Sequence, residues 1–87
     1  MLNFINPSCS YDATRRAVHF WGYDGALELS FFVTDEALRR LHPGVSSEEA
    51  DLLAVFGTHR DRVHRAAARV YARGKKGSYE VRASDLA

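Results

Sequence analysis

The stretch Ser46–Lys76, SSEEADLLAVFGTHRDRVHRAAARVYARGKK, decides how the rest of the chain is read. On a wheel of about 100° per residue, Leu52, Phe56, His59, Val63, Ala66, Ala67 and Val70 fall in one sector, which predicts an amphipathic helix buried on that side. Ser46 and Glu49 have the spacing of a capping box, and Val45 and Ala50 that of a hydrophobic staple. Gly74 can turn left-handed without a Cβ clash, so the helix is expected to stop near Arg73. Gly57 costs about 1 kcal/mol relative to alanine in a helix interior, which points to a kink or a close neighbour. A split at Thr58, itself a capable N-cap, is the alternative.

A single helix of about 27 residues would be ~40 Å long. A compact domain of 87 residues is only roughly 30 Å across. The mismatch predicts that the helix overhangs its own domain or packs on a second copy, making a homodimer the expected assembly.

The opposite side of the helix carries Arg62, Arg65, Arg69 and Arg73, and Lys75 and Lys76 extend the run. From His59 to Lys76 there are seven Lys or Arg against Asp61 alone. Acids early and bases late complement the helix dipole, so the stripe is expected to be a solvated face. The alternative is a nucleic-acid surface, whose arginines would track phosphates and release counterions. Arg60 lies on the edge of the apolar sector. As a candidate buried polar group it must find a carboxylate or carbonyl partner, Asp12, Asp24 and Glu28 being the acids expected to reach it, or else snorkel outward.

With 46% hydrophobic and 26% charged residues, the chain reads as one soluble domain over 1–87. Its 12 basic and 11 acidic residues leave a formal charge of +1, so any preference for nucleic acid must be local. The single Cys9 excludes an internal disulfide and a cysteine zinc site and fits a cytoplasmic setting. No apolar run approaches the roughly 18–20 residues of a membrane span, and no signal sequence is evident.

Upstream, Leu2, Phe4 and Ile5 suggest an optional N-terminal edge strand. Val18 and Phe20 alternate with Ala17, His19 and Trp21, and Leu27, Leu29, Phe31 and Val33 alternate with Glu28, Ser30 and Phe32. Asp24 and Gly25 suit a two-residue turn, which would set Phe20 opposite Leu29 and Val18 opposite Phe31. One hairpin face is then apolar throughout. The other carries His19, Trp21 and Phe32, a candidate interaction surface to be covered by the protein's own chain or by its twin. Thr34 is placed to cap a short helix with Asp35 and Glu36 in its first turn and Ala37, Leu38 and Leu41 as its apolar stripe, closed by His42, Pro43 and Gly44. Tyr79, Val81 and Ala83 read as a last strand, and Ser84–Ala87 as a tail. The result is an α+β, two-layer fold: an antiparallel sheet in the order β-β-α-α-β, with a short and a long helix on one face.

No nucleophile signature, phosphate loop, paired-carboxylate motif or zinc spacing is present. His59 and His64 are five apart and face different ways, His59 reading as half-buried and His64 as a surface residue. No metal or cofactor is expected. Cys9 reads as a loop residue with no neighbour to activate it.

The hairpin with Val18, Phe20, Trp21, Gly22 and Asp24 is followed by Phe32, Val33, Ala37 and Leu38. Phe56, Arg60, Val63, Ala67 and Tyr71 come next, and Ser78, Tyr79 and Asp85 close the series. In this order and spacing the chain resembles, over nearly its whole length, the small bacterial proteins grouped as domain of unknown function family 1488. The resemblance implies a stand-alone bacterial domain with a two-layer α/β fold and carries no activity or catalytic residue. The expected function is a non-enzymatic binding or regulatory module that self-associates. The alternatives are a nucleic-acid binder using the arginine stripe, and a small ligand-binding protein or enzyme around His19, Glu28 and Arg60.

Overall fold

The computed structural model describes residues 1–86. Two eight-residue strands, β3 (Ala17–Asp24) and β4 (Leu27–Thr34), form its central hairpin, preceded by β1 (Leu2–Asn3) and β2 (Cys9–Asp12). Three helices follow, α1 (Asp35–Leu41), α2 (Glu49–Thr58) and α3 (Arg60–Ala72), then β5 (Tyr79–Val81) and a 3-10 turn, Ala83–Leu86. β1 and β2 both pair with the outer edge of β3, while β5 pairs with β4. The α+β class and the helix-on-sheet arrangement are as expected.

The hairpin closes on Gly25 and Ala26, not on Asp24 and Gly25. Phe20 therefore pairs with Phe31, Val18 with Val33 and Trp21 with Ser30. Gly25 has φ +62°, and a positive φ at the first central position alone is the type II′ pattern. The slip is two residues, and because side chains alternate with period two, every side chain keeps its face. β5 corrects a second expectation, running parallel to β4 with Phe31 opposite Tyr79 and Val33 opposite Val81. The three helices return the chain to the end of the sheet where β4 began, so the next strand must run the same way.

The rod expected over Ser46–Lys76 is two helices meeting at His59, whose φ and ψ are −107° and 23°. Gly57 and Thr58 are successive weak helix formers, and the chain bends just after them. The predicted apolar sector is nevertheless the buried one, with Leu52 and Phe56 of α2 and Val63, Ala66 and Ala67 of α3 all at 0% exposure. The fold measures 36 × 24 × 23 Å, so no helix overhangs it and that reason for a dimer is gone. The capping box also fails to form. Ser46 instead accepts from the Glu48 N–H and donates to the Asp51 carboxylate, while Glu48 occupies the cap without a side-chain bond. Thr34 does cap α1, accepting from the Ala37 N–H at 3.1 Å.

The N-terminal segment is more than an edge. Phe4 enters the space between sheet and α3, 5.5 Å from Phe31 and stacked on His64 at 4.2 Å. Cys9, expected in a loop, lies on β2 and packs against the core. Gly22 makes room for this segment, because a Cβ there would stand 2.8 Å from Phe31, 3.0 Å from Phe4 and 3.1 Å from Leu2. Gly22→Ala is expected to cost about 1–3 kcal/mol by overpacking. A Cβ on Gly57 meets nothing within 4 Å, so Gly57→Ala should instead stabilise by up to about 1 kcal/mol. Urea unfolding of the two variants checks the opposite signs.

Candidate functional site

All three helices cover one side of the sheet. By strand alternation the other side presents Ser10 and Asp12 of β2, then Ala17, His19, Trp21 and Tyr23 of β3. Glu28, Ser30 and Phe32 of β4 and Glu80 of β5 complete it. The three residues expected to form an interaction surface come together at its centre. The His19 ring lies 4.2 Å from Trp21 and is stacked on Phe32 at 4.4 Å. Phe32 is closed from above by Arg15, whose guanidinium sits 4.0 Å from the ring centroid, leaving it 6% exposed. Coverage by the protein's own chain is thus met at Phe32. Trp21 and His19 stay half-buried with no layer above them.

His19 Nε2 is buried without a hydrogen-bond partner. Burial pushes the imidazole below its usual pKa; Arg15 adds to this, and Asp12 and Glu28 oppose it. Around the rings runs a rim of both charges. Arg15 stands 3.9 Å from Asp12, and Arg82 bonds Glu80 at 2.6 Å. Glu28 accepts from the Tyr23 hydroxyl at 2.8 Å.

The basic stripe is exposed along its length, but two members are committed elsewhere. Arg69 donates to the Asp85 carbonyl at 2.7 Å and Arg73 pairs with the Asp85 carboxylate at 2.8 Å, tying the C-terminal 3-10 turn to α3. Burial pushes the Asp85 carboxyl up, but the Arg82 N–H and the Arg73 guanidinium outweigh it and hold the pKa low. The side chains of Arg62, Arg65, Lys75 and Lys76 make no ion pair among the described residues.

Arg60 reaches none of the acids expected for it. Its guanidinium lies 4.8 Å from the Phe56 ring centroid. Asp24 is occupied by the N-terminal ammonium at 2.9 Å and the Tyr71 hydroxyl at 2.6 Å. That bond to Asp24, with burial, pushes the Tyr71 phenol up to about 12. Arg60 belongs to the helical layer, whereas His19 and Glu28 lie on the uncovered side of the sheet, so these three do not converge.

His64, expected at the surface, is the histidine that packs inward, on Phe4 and 5.7 Å from Phe20. Burial lowers its pKa, Arg60 lowers it further, and Asp61 opposes. An imidazole with a depressed folded pKa takes a proton more readily when unfolded, so stability is full above about pH 6.5 and falls as pH drops below it. Urea midpoints are expected to decrease between pH 7.5 and pH 5.5, and His64→Phe should flatten that dependence.

Sequence reasoning also missed Asp35, a buried carboxylate at 8% exposure. It accepts from the Tyr11 hydroxyl at 2.8 Å. Its place in the first turn of α1 was legible, but the burial depends on β2, which pairs from a distance.

Among the described residues, no helix is long and apolar enough to cross a membrane. No curated protein matches the chain. A crystal structure of a protein of unknown function from the DUF1488 family of Shewanella loihica PV-4 has a similar fold. Its TM-score is 0.78 at 15% identity, with 86% of each chain covered. The family model described as "Protein of unknown function (DUF1488)" matches residues 2–82, and the chain belongs to that family.

Proposed function

We propose that the protein is a non-enzymatic, cytoplasmic binding module that associates with a second copy of itself through the uncovered face of the sheet. The observation that carries this reading is the pair of half-buried rings, His19 and Trp21, beside the Arg15-capped Phe32 at the centre of a face over which the described residues place no further layer. Rim charges favour a copy over nucleic acid. Arg15 and Arg82 alternate with Asp12, Glu28 and Glu80, a mixed pattern that can match itself about a two-fold axis. A phosphate backbone would want one sign. The uncovered face spans β2, β3, β4 and β5, of four, eight, eight and three residues, which at about 3.3 Å per residue and about 4.8 Å between strands give a footprint of roughly 360 Å². That lies below the roughly 800 Å² per partner of a stable interface, so the association is a weak, reversible one that fills at high concentration.

Light scattering after size exclusion tests the reading at two loading concentrations. Twice the monomer mass at the higher one is expected. A strict monomer at millimolar concentration would remove it.

A further inference from the structure

The outward side of α3 carries Arg62, Arg65, Arg69 and Arg73 in one row, with Lys75 and Lys76 just past its end, all of them exposed. Residues 60–76 hold seven Lys or Arg and the single acid Asp61, a net +6, so the rest of a chain of formal charge +1 totals −5. One continuous rod would have set these arginines towards its negative end, where the helix dipole favours cations. α3 instead begins its own ladder, the Val63 N–H donating to the His59 carbonyl at 3.1 Å. Arg60 and Arg62 therefore stand in a first turn, where the dipole opposes them, and Arg65 follows in the next. Arg62, Arg65 and Arg69 are three and four residues apart, a spacing at which like charges repel. Of the row, Arg73 alone is paired with a carboxylate among the described residues, that of Asp85. Arg69 is bonded to a carbonyl, which leaves its charge whole. The row works against the helix that carries it, so folding does not account for it.

We propose that this face of α3 binds duplex DNA through its phosphates. Residues 62 to 73 span roughly 16 Å at about 1.5 Å per residue, and over that length a duplex presents about one charge per 1.7 Å. Ala68 and Ala72, both exposed, flank the row and leave room for a phosphate backbone to come close. The large apolar residues exposed among the described ones, Met1, Ile5 and Leu27, are not on this helix. The face thus has neither the apolar core of a protein interface nor the anchors of a membrane-surface helix. It has no exposed aromatic ring on which single-stranded bases could stack. A convex helix matches the B-form major groove, about 12 Å wide, and not the deep, narrow one of duplex RNA. α3 covers the side of the sheet opposite the docking face, so two copies joined there would keep both arginine rows outward.

Fluorescence anisotropy of a labelled DNA duplex of about 20 base pairs, titrated with the full chain, tests it. A Kd in the micromolar range is expected at about 50 mM NaCl, rising roughly 100- to 500-fold by about 200 mM, the slope for four to five phosphate contacts. Arg62→Glu with Arg65→Glu should weaken binding about thirtyfold or more and flatten the salt dependence. Its Tm should be no lower, because the dipole disfavours the arginines that it removes. Arg39→Glu with Arg40→Glu, an equal change of net charge on α1, should weaken binding less than about threefold. No binding at about 50 mM NaCl with 100 μM protein would overturn the proposal, as would an equal loss in the α1 variant. Equal or tighter binding to duplex RNA, or to phosphatidylserine vesicles, would overturn it by assigning the row to another anionic surface.

Discussion

Replacing Phe20 with alanine is expected to lower the unfolding free energy by about 3–5 kcal/mol, the range for deleting a buried aromatic ring. Phe20 is 1% exposed. Its ring centroid lies 5.1 Å from Phe56, 5.5 Å from Phe31, 5.7 Å from His64 and 6.0 Å from Phe4. It is therefore the point at which the central strand, α2, α3 and the N-terminal segment meet. At roughly 0.05–0.15 kcal/mol per residue the whole domain has about 4–13 kcal/mol to lose. A shift of about 4–8 °C per kcal/mol puts the fall in Tm at roughly 12–40 °C. Thermal and urea unfolding followed by circular dichroism measure it. A loss below about 1 kcal/mol would mean that these elements do not share one packed core. Phe32→Ala is expected to cost less, because its ring touches Arg15 and His19 on the open side, where water can enter the space.

The second large effect concerns association. Trp21→Glu places a carboxylate among the His19 and Phe32 rings on the uncovered face and adds to the acids of the rim. A central aromatic of an interface typically contributes about 2–4 kcal/mol, so the dimer should weaken by about 30- to 1000-fold. Sedimentation equilibrium reads the change, and circular dichroism checks that the fold persists. Arg62→Glu with Arg65→Glu, on the far side of α3, should leave the association constant as it was. If the arginine pair weakens association and Trp21→Glu does not, the stripe is the docking surface.

What was legible in the sequence follows from which signals are periodic and local. Alternation in Ala17–Val33 assigned every side chain of the hairpin to its face, and it did so even though the turn was misplaced, since a two-residue slip preserves parity. Choosing between Asp24–Gly25 and Gly25–Ala26 depended on contacts that no short-range pattern carries. Asp24 is drawn into the strand end by the N-terminal ammonium and by Tyr71, 47 positions away. Alternation has no direction, so the parallel pairing of β5 was invisible. The break at His59 was visible as a weakness at Gly57 and Thr58, but a wheel cannot say whether a helix bends or divides. The His19, Trp21 and Phe32 cluster was legible because odd and even positions separate cleanly. Arg15 closing over Phe32 was not, because a turn residue's reach depends on the turn's shape. The buried setting of Asp35 is assembled from separated segments, and only the folded chain brings them together.

The most direct test is an isotope-filtered NOE experiment on a mixture of labelled and unlabelled protein at millimolar concentration. Intermolecular cross-peaks to the Trp21 indole and the His19 ring, with none to Arg62 or Arg65 side chains, are the expected result. Cross-peaks confined to α3, or none at a concentration where the solution mass is that of a dimer, would contradict a docking role for the open side of the sheet.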